Sequence, residues 1–156
     1  MRILVVSDTH GDVHSFIQLC RSNSSAEVVI HCGDGAGDVQ EVSPLFPSKM
    51  FINVRGNCDF CTDAPYAQTI TLEGKKLLIT HGHLYNVKSD LLPLSLSARE
   101  QGADMVLFGH THQQTEIYSD GLYMLNPGSL KGYKGSYALV DITDKGILIN
   151  CLQNNS

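Results

Sequence analysis

The chain has 156 residues, of which 42% are hydrophobic and 17% charged, and its formal net charge is −5. This composition excludes an intrinsically disordered chain, and the length fits one domain of ordinary size. The negative charge argues against bulk binding of nucleic acid or of an anionic membrane, although a bound metal ion could still attract a phosphate locally. We predict a single domain over residues 1–152 and a polar tail over residues 153–156.

The N-terminal residues are not expected to act as a signal peptide. Its apolar run, Ile3–Val6, is shorter than the roughly 7–15 residues of a signal-peptide core. No segment approaches the roughly 18 apolar residues that a membrane span needs. The five cysteines are odd in number and scattered, so they indicate no disulfide framework. We therefore predict a cytoplasmic protein, and the lone C-x-x-C of Cys58 and Cys61 leaves a redox role as an alternative.

Strand and helix signals alternate over the first two-thirds of the chain. Asp12 is a plausible N-cap for a helix whose apolar stripe repeats at helical spacing. In chain order the patterns predict a strand over 2–6, a helix over 12–20, a strand over 27–30, a short helix over 38–45, strands over 50–54, 69–72 and 75–80, a helix over 89–101, a strand over 104–108, and hairpins over 116–125 and 136–151. Together these elements predict an α/β fold, a four-layer α/β/β/α sandwich of two mixed β-sheets flanked by helices.

Polar residues with metal-binding or acid–base chemistry follow five of the predicted strands. In α/β sheets the carboxyl ends of the strands are where ligands bind. The residues at these ends are Asp8, His10, Asp34, Asn57, His81, His110 and His112. Taken alone, each motif is also typical of an ordinary loop, and Asn57 of a turn. Their recurrence at strand after strand favours a metal centre.

The donor types indicate which metal ions would bind. Carboxylate, amide and imidazole groups without thiolate suit Mn²⁺, Fe²⁺, Zn²⁺, Co²⁺ or Ni²⁺. Seven candidates are too many for one tetrahedral zinc ion. They fit two five- or six-coordinate ions that share a bridging carboxylate.

The order of these motifs resembles the calcineurin-like metallophosphoesterase superfamily. The short chain, the T-H-G-H at 80–83 and the N-P-G-S at 126–129 are similar to its small YfcE-like phosphodiesterase branch. The matching motifs are D-x-H at 8–10, G-D at 33–34, G-N-C-D at 56–59, the single histidine His81, and G-H-x-H at 109–112. The resemblance covers nearly the whole chain and implies the two-sheet sandwich predicted above.

The resemblance also implies an activity and a set of ligands. One ion would be bound by Asp8, His10 and His112. The other would be bound by Asn57, His81 and His110, with Asp34 bridging the two. The implied reaction is hydrolysis of a phosphodiester by in-line attack of a metal-bridging hydroxide, with catalytic roles for Asn57, Asp34 and His81. The implied cofactors are two divalent ions, with Mn²⁺ favoured and Ni²⁺, Zn²⁺, Fe²⁺ and Co²⁺ open.

Cys58 stands where many members of the superfamily have a histidine. A thiol is a weak hydrogen-bond donor, so the identity of the general acid stays open and we predict a preference for good leaving groups. Asp59 is expected to orient a neighbouring site residue. His83 either does the same, which we favour, or faces the substrate phosphate. His31 is expected to be a buried, hydrogen-bonded histidine.

The partner classes follow from the same patterns. The segment 33–38 lacks the arginine of the protein-phosphatase motif, so a small phosphodiester is favoured as the substrate over a phosphoprotein. No nucleic-acid or membrane partner is predicted, and hairpin edges leave a homo-oligomer open. The alternative function is a non-catalytic metal-binding or protein-interaction scaffold of the same fold, like the retromer subunit. The presence of every ligand motif disfavours it.

Overall fold

The computed structural model describes residues 1–155, whose strands form two mixed sheets. The elements are β1 (Arg2–Val6), α1 (Val13–Ser22), β2 (Val28–His31), α2 (Ala36–Val42), β3 (Met50–Asn53), β4 (Ala67–Leu72), β5 (Lys75–Thr80), α3 (Leu92–Glu100), β6 (Met105–Leu107), β7 (Gln114–Ser119), β8 (Leu122–Pro127), β9 (Ser136–Thr143) and β10 (Gly146–Gln153). Short 3₁₀ turns follow α2 at Ser43–Leu45 and β5 at His83–Tyr85.

Each sheet has five strands. The second sheet has a parallel centre and two antiparallel edge strands, whereas the first sheet is parallel up to its edge strand β3 and antiparallel on the side of β9 and β10. The strand order is β10-β9-β1-β2-β3 in the first sheet and β4-β5-β6-β8-β7 in the second. Strands β1, β2 and β3 are parallel to one another, as are β5, β6 and β8. Because parallel strands end at the same edge of a sheet, the loops that follow them lie side by side.

The period-two alternation of the strands builds the predicted four layers. In β1, Ile3 and Val5 pack into the core between the two sheets, whereas Leu4 and Val6 pack with Phe16 of α1 on the outer face. Helix α3 covers the outer face of the second sheet through Leu94. The layers are therefore α1 and α2, the first sheet, the second sheet, and α3, which confirms the predicted α/β/β/α sandwich.

The helices differ from the sequence prediction mainly at their ends. Asp12 caps α1 as predicted, since its carboxylate accepts the N–H of Ser15 at 3.1 Å. Helix α3 begins three residues later than predicted, at Leu92, because Asp90 accepts the N–H of Leu92 in a preceding turn, and Pro93 lies in the first helical turn. No helix in the described part of the chain is long and apolar enough to cross a membrane.

The polar tail predicted over residues 153–156 is wrong at its first two positions. Gln153 pairs with Ser136 as the last residue of β10, so the strand extends beyond its apolar run. Asn154 is buried, and its backbone N–H donates to the carbonyl of Gly135 at 2.6 Å. Asn155 is the one described residue that follows Asn154, and Ser156 lies outside the described residues.

Candidate metal centre

The loops after five parallel strands bring the seven predicted ligands to one edge of the molecule. The loop after β1 carries Asp8 and His10, and the loop after β2 carries Asp34. Strand β3 is followed by Asn57, β5 by His81, and β6 by His110 and His112. The first three strands belong to one sheet and the other two to its neighbour, so the site spans both sheets.

The carboxylate of Asp8 is fully buried and faces imidazole nitrogens. Its Oδ1 lies 3.1 Å from Nε2 of His112, 3.6 Å from Nε2 of His10 and 3.8 Å from Nε2 of His81. Its Oδ2 accepts the hydroxyl of Ser7 at 2.6 Å and the backbone N–H of His110 at 3.1 Å. One oxygen is therefore held by the protein while the other is directed at the histidine cluster.

Asp34 repeats this arrangement a few ångströms away. Its Oδ2 lies 3.2 Å from Nε2 of His81 and 3.7 Å from Nε2 of His10, while its Oδ1 accepts the N–H of Cys58 at 2.8 Å. Burial alone would raise the pKa of Asp34, but the hydrogen bonds from His81 and Cys58 outweigh it and lower the pKa well below its usual range. Asp34 is thus ionised at neutral pH, as a metal ligand must be.

His81 is oriented by the carbonyl oxygen of Cys32. Its Nδ1 lies 2.8 Å from that oxygen and donates to it, which leaves Nε2 directed at the carboxylates and at Oδ1 of Asn57, 3.0 Å away. Burial disfavours the charged imidazole, but the carboxylates of Asp34 and Asp8 raise the pKa of His81 above its ordinary value. The raised pKa favours a positive charge on His81 beside the two carboxylates.

His110 joins the cluster by ring contact. Its ring centroid lies 5.0 Å from that of His81 in an edge-on arrangement. Partial burial and the nearby positive charges of His81 and Lys88 lower the pKa of His110. The imidazole is therefore neutral near pH 7, the form that binds metal ions.

The side chains fit divalent cations. Three groups each place ligand atoms within 4.8 Å of one another: Asp8 with His10 and His112, Asp8 with Asp34 and His81, and His10 with Asp34 and Cys58. Among the described residues, the ion pairs of Asp8 and Asp34 involve only histidines and no lysine or arginine. Two buried carboxylates without a fixed cation are costly unless positive charge is bound between them.

Five of the seven candidates have left-handed backbone conformations. The φ angles are 53° at Asp8, 45° at His10, 57° at Asp34, 72° at His110 and 61° at His112. Each such conformation costs a non-glycine residue roughly 1–3 kcal/mol, and the surrounding structure must impose it. Glu73, Asn86, Asp120 and Lys134 also have positive φ, but they lie in separate turns, whereas five such residues share this one cluster. A concentration of strained residues in one place is typical of a functional site.

Asp59 hydrogen-bonds the backbone of two site loops. Its carboxylate accepts the N–H groups of Asp34 and Gly56, both at 2.8 Å, and of Ala36 at 3.0 Å. These bonds join the loop that bears Asp34 to the loop that bears Asn57. Asp59 does not contact the histidine cluster directly in any of these bonds.

Cys58 and His83 lie beside the cluster. Cys58 is exposed, and the pKa of its thiol is raised by partial burial and by the carboxylate of Asp34, so it stays protonated at neutral pH. The ring of His83 lies 5.4 Å from that of His81, and its buried Nδ1 has no hydrogen-bond partner within residues 1–155. Partial burial and the charge of His81 lower the pKa of His83.

Two residues that hold the site loops, Asn126 and Ser129, were given no role in the sequence analysis. Asn126 donates from its amide to the carbonyl of Gly109 at 2.9 Å, which holds the loop before His110. Ser129 donates its hydroxyl to the carbonyl of Asp8 at 2.7 Å. Both belong to the N-P-G-S motif at 126–129, which was noted in the sequence only as a resemblance.

One cavity is lined by residues of the cluster, and a second lies beside the segment between His110 and His112. The first, of about 200 Å³, opens over Asp34 and His10; its remaining lining residues are Gly11, Gly35, Gly37, Asp38, Cys58 and Asp59. The second, of about 310 Å³, lies next to the loop of His110 and is lined by Val87, Lys88, Leu91, Phe108, Thr111, Gln113 and Thr115. The first is polar and small, whereas the second is lined by three apolar residues together with Lys88, Gln113 and two threonines.

This fold and this histidine–carboxylate cluster define the class of the protein. Residues 1–145 match the model of the calcineurin-like phosphoesterase superfamily domain, so the chain belongs to that superfamily. It is 37% identical to the probable metallophosphoesterase YsnB of Bacillus subtilis over 134 residues, which cover 84% of this chain and 76% of the relative. It is 29% identical to the phosphodiesterase YfcE of Escherichia coli, with 90% of this chain and 88% of the relative covered.

A solved structure agrees with this assignment. A predicted phosphoesterase from Streptococcus pneumoniae TIGR4 superposes with a TM-score of 0.83 at 30% sequence identity, covering 97% of this chain and 88% of that one. The predicted superfamily and its phosphodiesterase branch are confirmed by these relatives. The metal-binding character of the cluster agrees with the names of the relatives.

Proposed function

We propose that this protein is a dinuclear metal-dependent phosphodiesterase that cleaves small phosphodiesters by in-line attack on phosphorus. The observation that carries the proposal is the pair of buried carboxylates, Asp8 and Asp34, each within 4 Å of two or more imidazole nitrogens and of no fixed cation among the described residues. The names of the phosphodiesterase and metallophosphoesterase relatives support the same reaction class.

The proposed ligands divide into two sets that share Asp34. One ion is assigned to Asp8, His10 and His112, which already form a compact group. The second ion is assigned to Asn57, His81 and His110, since Asn57 Oδ1 lies 3.0 Å from His81 Nε2 and the His110 ring packs against His81. We propose Mn²⁺ as the bound ion, with Ni²⁺, Zn²⁺, Fe²⁺ and Co²⁺ as alternatives, because the donors are oxygen and imidazole nitrogen.

The bound ions would supply a nucleophile of lowered pKa and offset the charge of the phosphoryl oxygens. The protein residues hold these groups in place. Asp34 faces both ligand sets, His81 is fixed by Cys32, and Asp8 is held on one oxygen by Ser7. Preorganised ligands of this kind contribute to catalysis because they need not rearrange when charge develops.

The cavities support small organic diesters as substrates. A cavity of about 200 Å³ over Asp34 is smaller than the usual range for a drug-sized ligand, roughly 300–1,000 Å³, and suits a phosphate group with a small ester. The second cavity, of about 310 Å³ beside His110, offers apolar contacts and the Lys88 ammonium to the other ester group. The five free thiols are consistent with a reducing compartment, and we propose the cytoplasm.

Metal analysis combined with a substrate panel tests this function. The protein loaded with Mn²⁺, Ni²⁺, Zn²⁺ or Mg²⁺ is assayed on bis(p-nitrophenyl) phosphate, on a nucleoside p-nitrophenyl phosphodiester and on p-nitrophenyl phosphate. We expect two bound ions per chain and hydrolysis of the diesters in preference to the monoester. Failure to hydrolyse any diester with any ion would contradict the proposal and favour a scaffold role.

The variant Asp34→Asn tests the bridging assignment. Asparagine keeps the size of the side chain but removes the charge that both ions would share, so we expect weaker binding of both ions and nearly complete loss of hydrolysis. Asp144→Asn, an exposed position in the turn between β9 and β10, is the matched control and should retain activity. Retained activity in Asp34→Asn would exclude the bridge.

A further inference from the structure

A buried chain of three polar residues lies next to the metal centre, and the proposed reaction assigns none of them a role. His31, at the end of β2, is 1% exposed, Thr9 is completely buried, and Asp38 of α2 is 8% exposed. Their side chains are hydrogen-bonded in sequence, His31 to Thr9 and Thr9 to Asp38. Such a network is expensive to bury unless every member is satisfied.

The backbone determines the direction of every hydrogen bond in this chain. Gly33 donates its N–H to Nδ1 of His31 at 3.1 Å, so Nδ1 carries no proton. Burial lowers the pKa of His31 to about 4, so the ring is neutral and its proton is on Nε2. Nε2 therefore donates to the Thr9 hydroxyl, 2.9 Å away, and that hydroxyl donates to Oδ2 of Asp38.

The two ring nitrogens of His31 bind the two loops that carry the proposed ligands. Thr9, which accepts from Nε2, lies between Asp8 and His10 in the loop after β1. Gly33, which donates to Nδ1, directly precedes Asp34 in the loop after β2. Oδ2 of Asp38 also accepts the N–H of Gly11 at 2.9 Å, on the other side of His10.

These attachment points adjoin the strained part of the backbone. Asp8, His10 and Asp34 have φ angles of 53°, 45° and 57°, each of which costs roughly 1–3 kcal/mol. Thr9, which is hydrogen-bonded to His31 and Asp38, lies between Asp8 and His10. Gly33, which donates to His31, directly precedes Asp34. These hydrogen bonds supply the external constraint that such conformations need, in addition to the backbone bond from His10 N to Asp34 O at 3.1 Å.

Gly35 shows how closely the network is covered. A Cβ atom at this position would collide with the Thr9 hydroxyl and with Nε2 of His31. The backbone of the loop after β2 therefore passes directly over the His31–Thr9 bond. The φ of 173° at Gly35 is extended and open to any residue, so the backbone angle does not require glycine. Glycine is required because the loop approaches the His31–Thr9 pair too closely for a Cβ atom.

We propose that His31, Thr9 and Asp38 are positioning residues that hold the Asp8–His10 loop and the Asp34 loop in one fixed relation. They set the separation between the two ligand groups through their hydrogen bonds to the two loops, and none of the three is among the proposed metal ligands. This inference rests on the proposed function, because its consequence is the geometry of the two ion sites.

The experiment compares variants that remove one hydrogen bond at a time. Thr9→Val keeps the shape of the side chain but removes the hydroxyl, and Thr9→Ser restores the hydroxyl. His31→Asn retains an acceptor for Gly33 and loses the donor to Thr9, whereas His31→Gln keeps a donor for Thr9 and loses the acceptor. His14→Gln, at an exposed position of α1, is the matched histidine control.

Three measurements separate positioning from general stability. Mn²⁺ affinity is measured by titration calorimetry, the magnetic coupling between bound Mn²⁺ ions by electron paramagnetic resonance, and folding of the metal-free protein by urea denaturation. We expect Thr9→Val and His31→Asn to weaken Mn²⁺ binding by roughly 10–100-fold, as loss of a supporting hydrogen bond does at metal sites, and to change the coupled spectrum. Thr9→Ser and His14→Gln should stay within a few-fold of the parent protein.

The outcomes distinguish this inference from the proposed function. If the parent protein binds two coupled ions and Thr9→Val and His31→Asn bind them with the same affinity and spectrum, the positioning role is overturned and the function stands. If the parent protein binds no Mn²⁺, the proposed function fails and the inference fails with it. If Thr9→Val does not fold, His31→Asn and His31→Gln, each of which removes one hydrogen bond of His31, decide the matter by the same two metal measurements, with Thr9→Ser as the control.

Discussion

Cys58 lines the cavity over Asp34, where a general acid could reach a leaving group. Its backbone N–H is engaged by Asp34, but its thiol is exposed and bears a raised pKa. A protonated thiol donates hydrogen bonds only weakly, so it gives little help to a poor leaving group. This residue therefore limits which diesters the proposed enzyme can cleave quickly.

Cys58→His should raise the hydrolysis rate for diesters with poor leaving groups. An imidazolium at this position can protonate the departing oxygen, and general acid catalysis contributes up to roughly 10²–10⁴-fold. A p-nitrophenyl diester, whose leaving group needs no proton, should gain much less. Cys61→His, three residues along the same exposed segment, is the control. Equal rates for Cys58→His and the parent protein on an alkyl diester would disprove this account of Cys58.

His31 also predicts a pH dependence of folding stability. Burial lowers its pKa in the folded chain to about 4, against an ordinary value of 6.5. Between these values the unfolded chain binds a proton that the folded chain does not, so stability is complete above pH 6.5 and falls as the pH decreases to about 4. The loss is roughly 3 kcal/mol.

His31→Gln cannot titrate, and so isolates this contribution. The free energy of unfolding of the metal-free protein is measured by urea denaturation between pH 4 and pH 7 for the parent protein and the variant. We expect the parent's advantage over the variant to shrink by roughly 3 kcal/mol towards pH 4. Parallel stability curves would show that His31 does not titrate in this range.

At the level of secondary-structure elements, side-chain burial decides which bounds can be predicted. Strands β1 and β5 have the bounds predicted from their apolar runs, Arg2–Val6 and Lys75–Thr80, because a polar residue follows each buried run directly. Strand β7 begins at Gln114, two residues before the start of the hairpin predicted over 116–125. It lies at the sheet edge with mostly exposed side chains, so no burial pattern marks its ends.

Helix α3 gives a test of how the outer layers are held. Leu94 is completely buried against the second sheet, whereas Leu96, two residues along the same helix, is 57% exposed. Leu94→Ala should lower the free energy of unfolding by about 2–5 kcal/mol, because it removes buried contacts and leaves a cavity. Leu96→Ala should change it by less than about 1 kcal/mol. Urea denaturation measures both, and similar losses in the two variants would contradict the packing of α3 described above.

For the molecule as a whole, topology explains why so much of the candidate site could be read from the sequence. Parallel strands end at one edge, so polar residues that follow successive strands converge even when they are far apart in the chain. Asp8 and His112 are an example, with 3.1 Å between their side chains. The His31–Thr9–Asp38 network could not be read in this way, because it depends on side-chain direction across two loops rather than on position at a strand end.

Metal binding should stabilise the entire fold, because the proposed ligands come from both sheets. An ion that binds only the folded chain adds about 2.7 kcal/mol at 100 times its Kd. For a chain of this size, that gain raises Tm by roughly 5–10 °C. Calorimetric melting of the chelator-treated protein, with and without added Mn²⁺, measures the shift. In Asp34→Asn the shift should be much smaller, since the shared carboxylate is lost, while Asp144→Asn should match the parent protein. A parent Tm that does not respond to any divalent ion would contradict a metal centre that joins the two sheets.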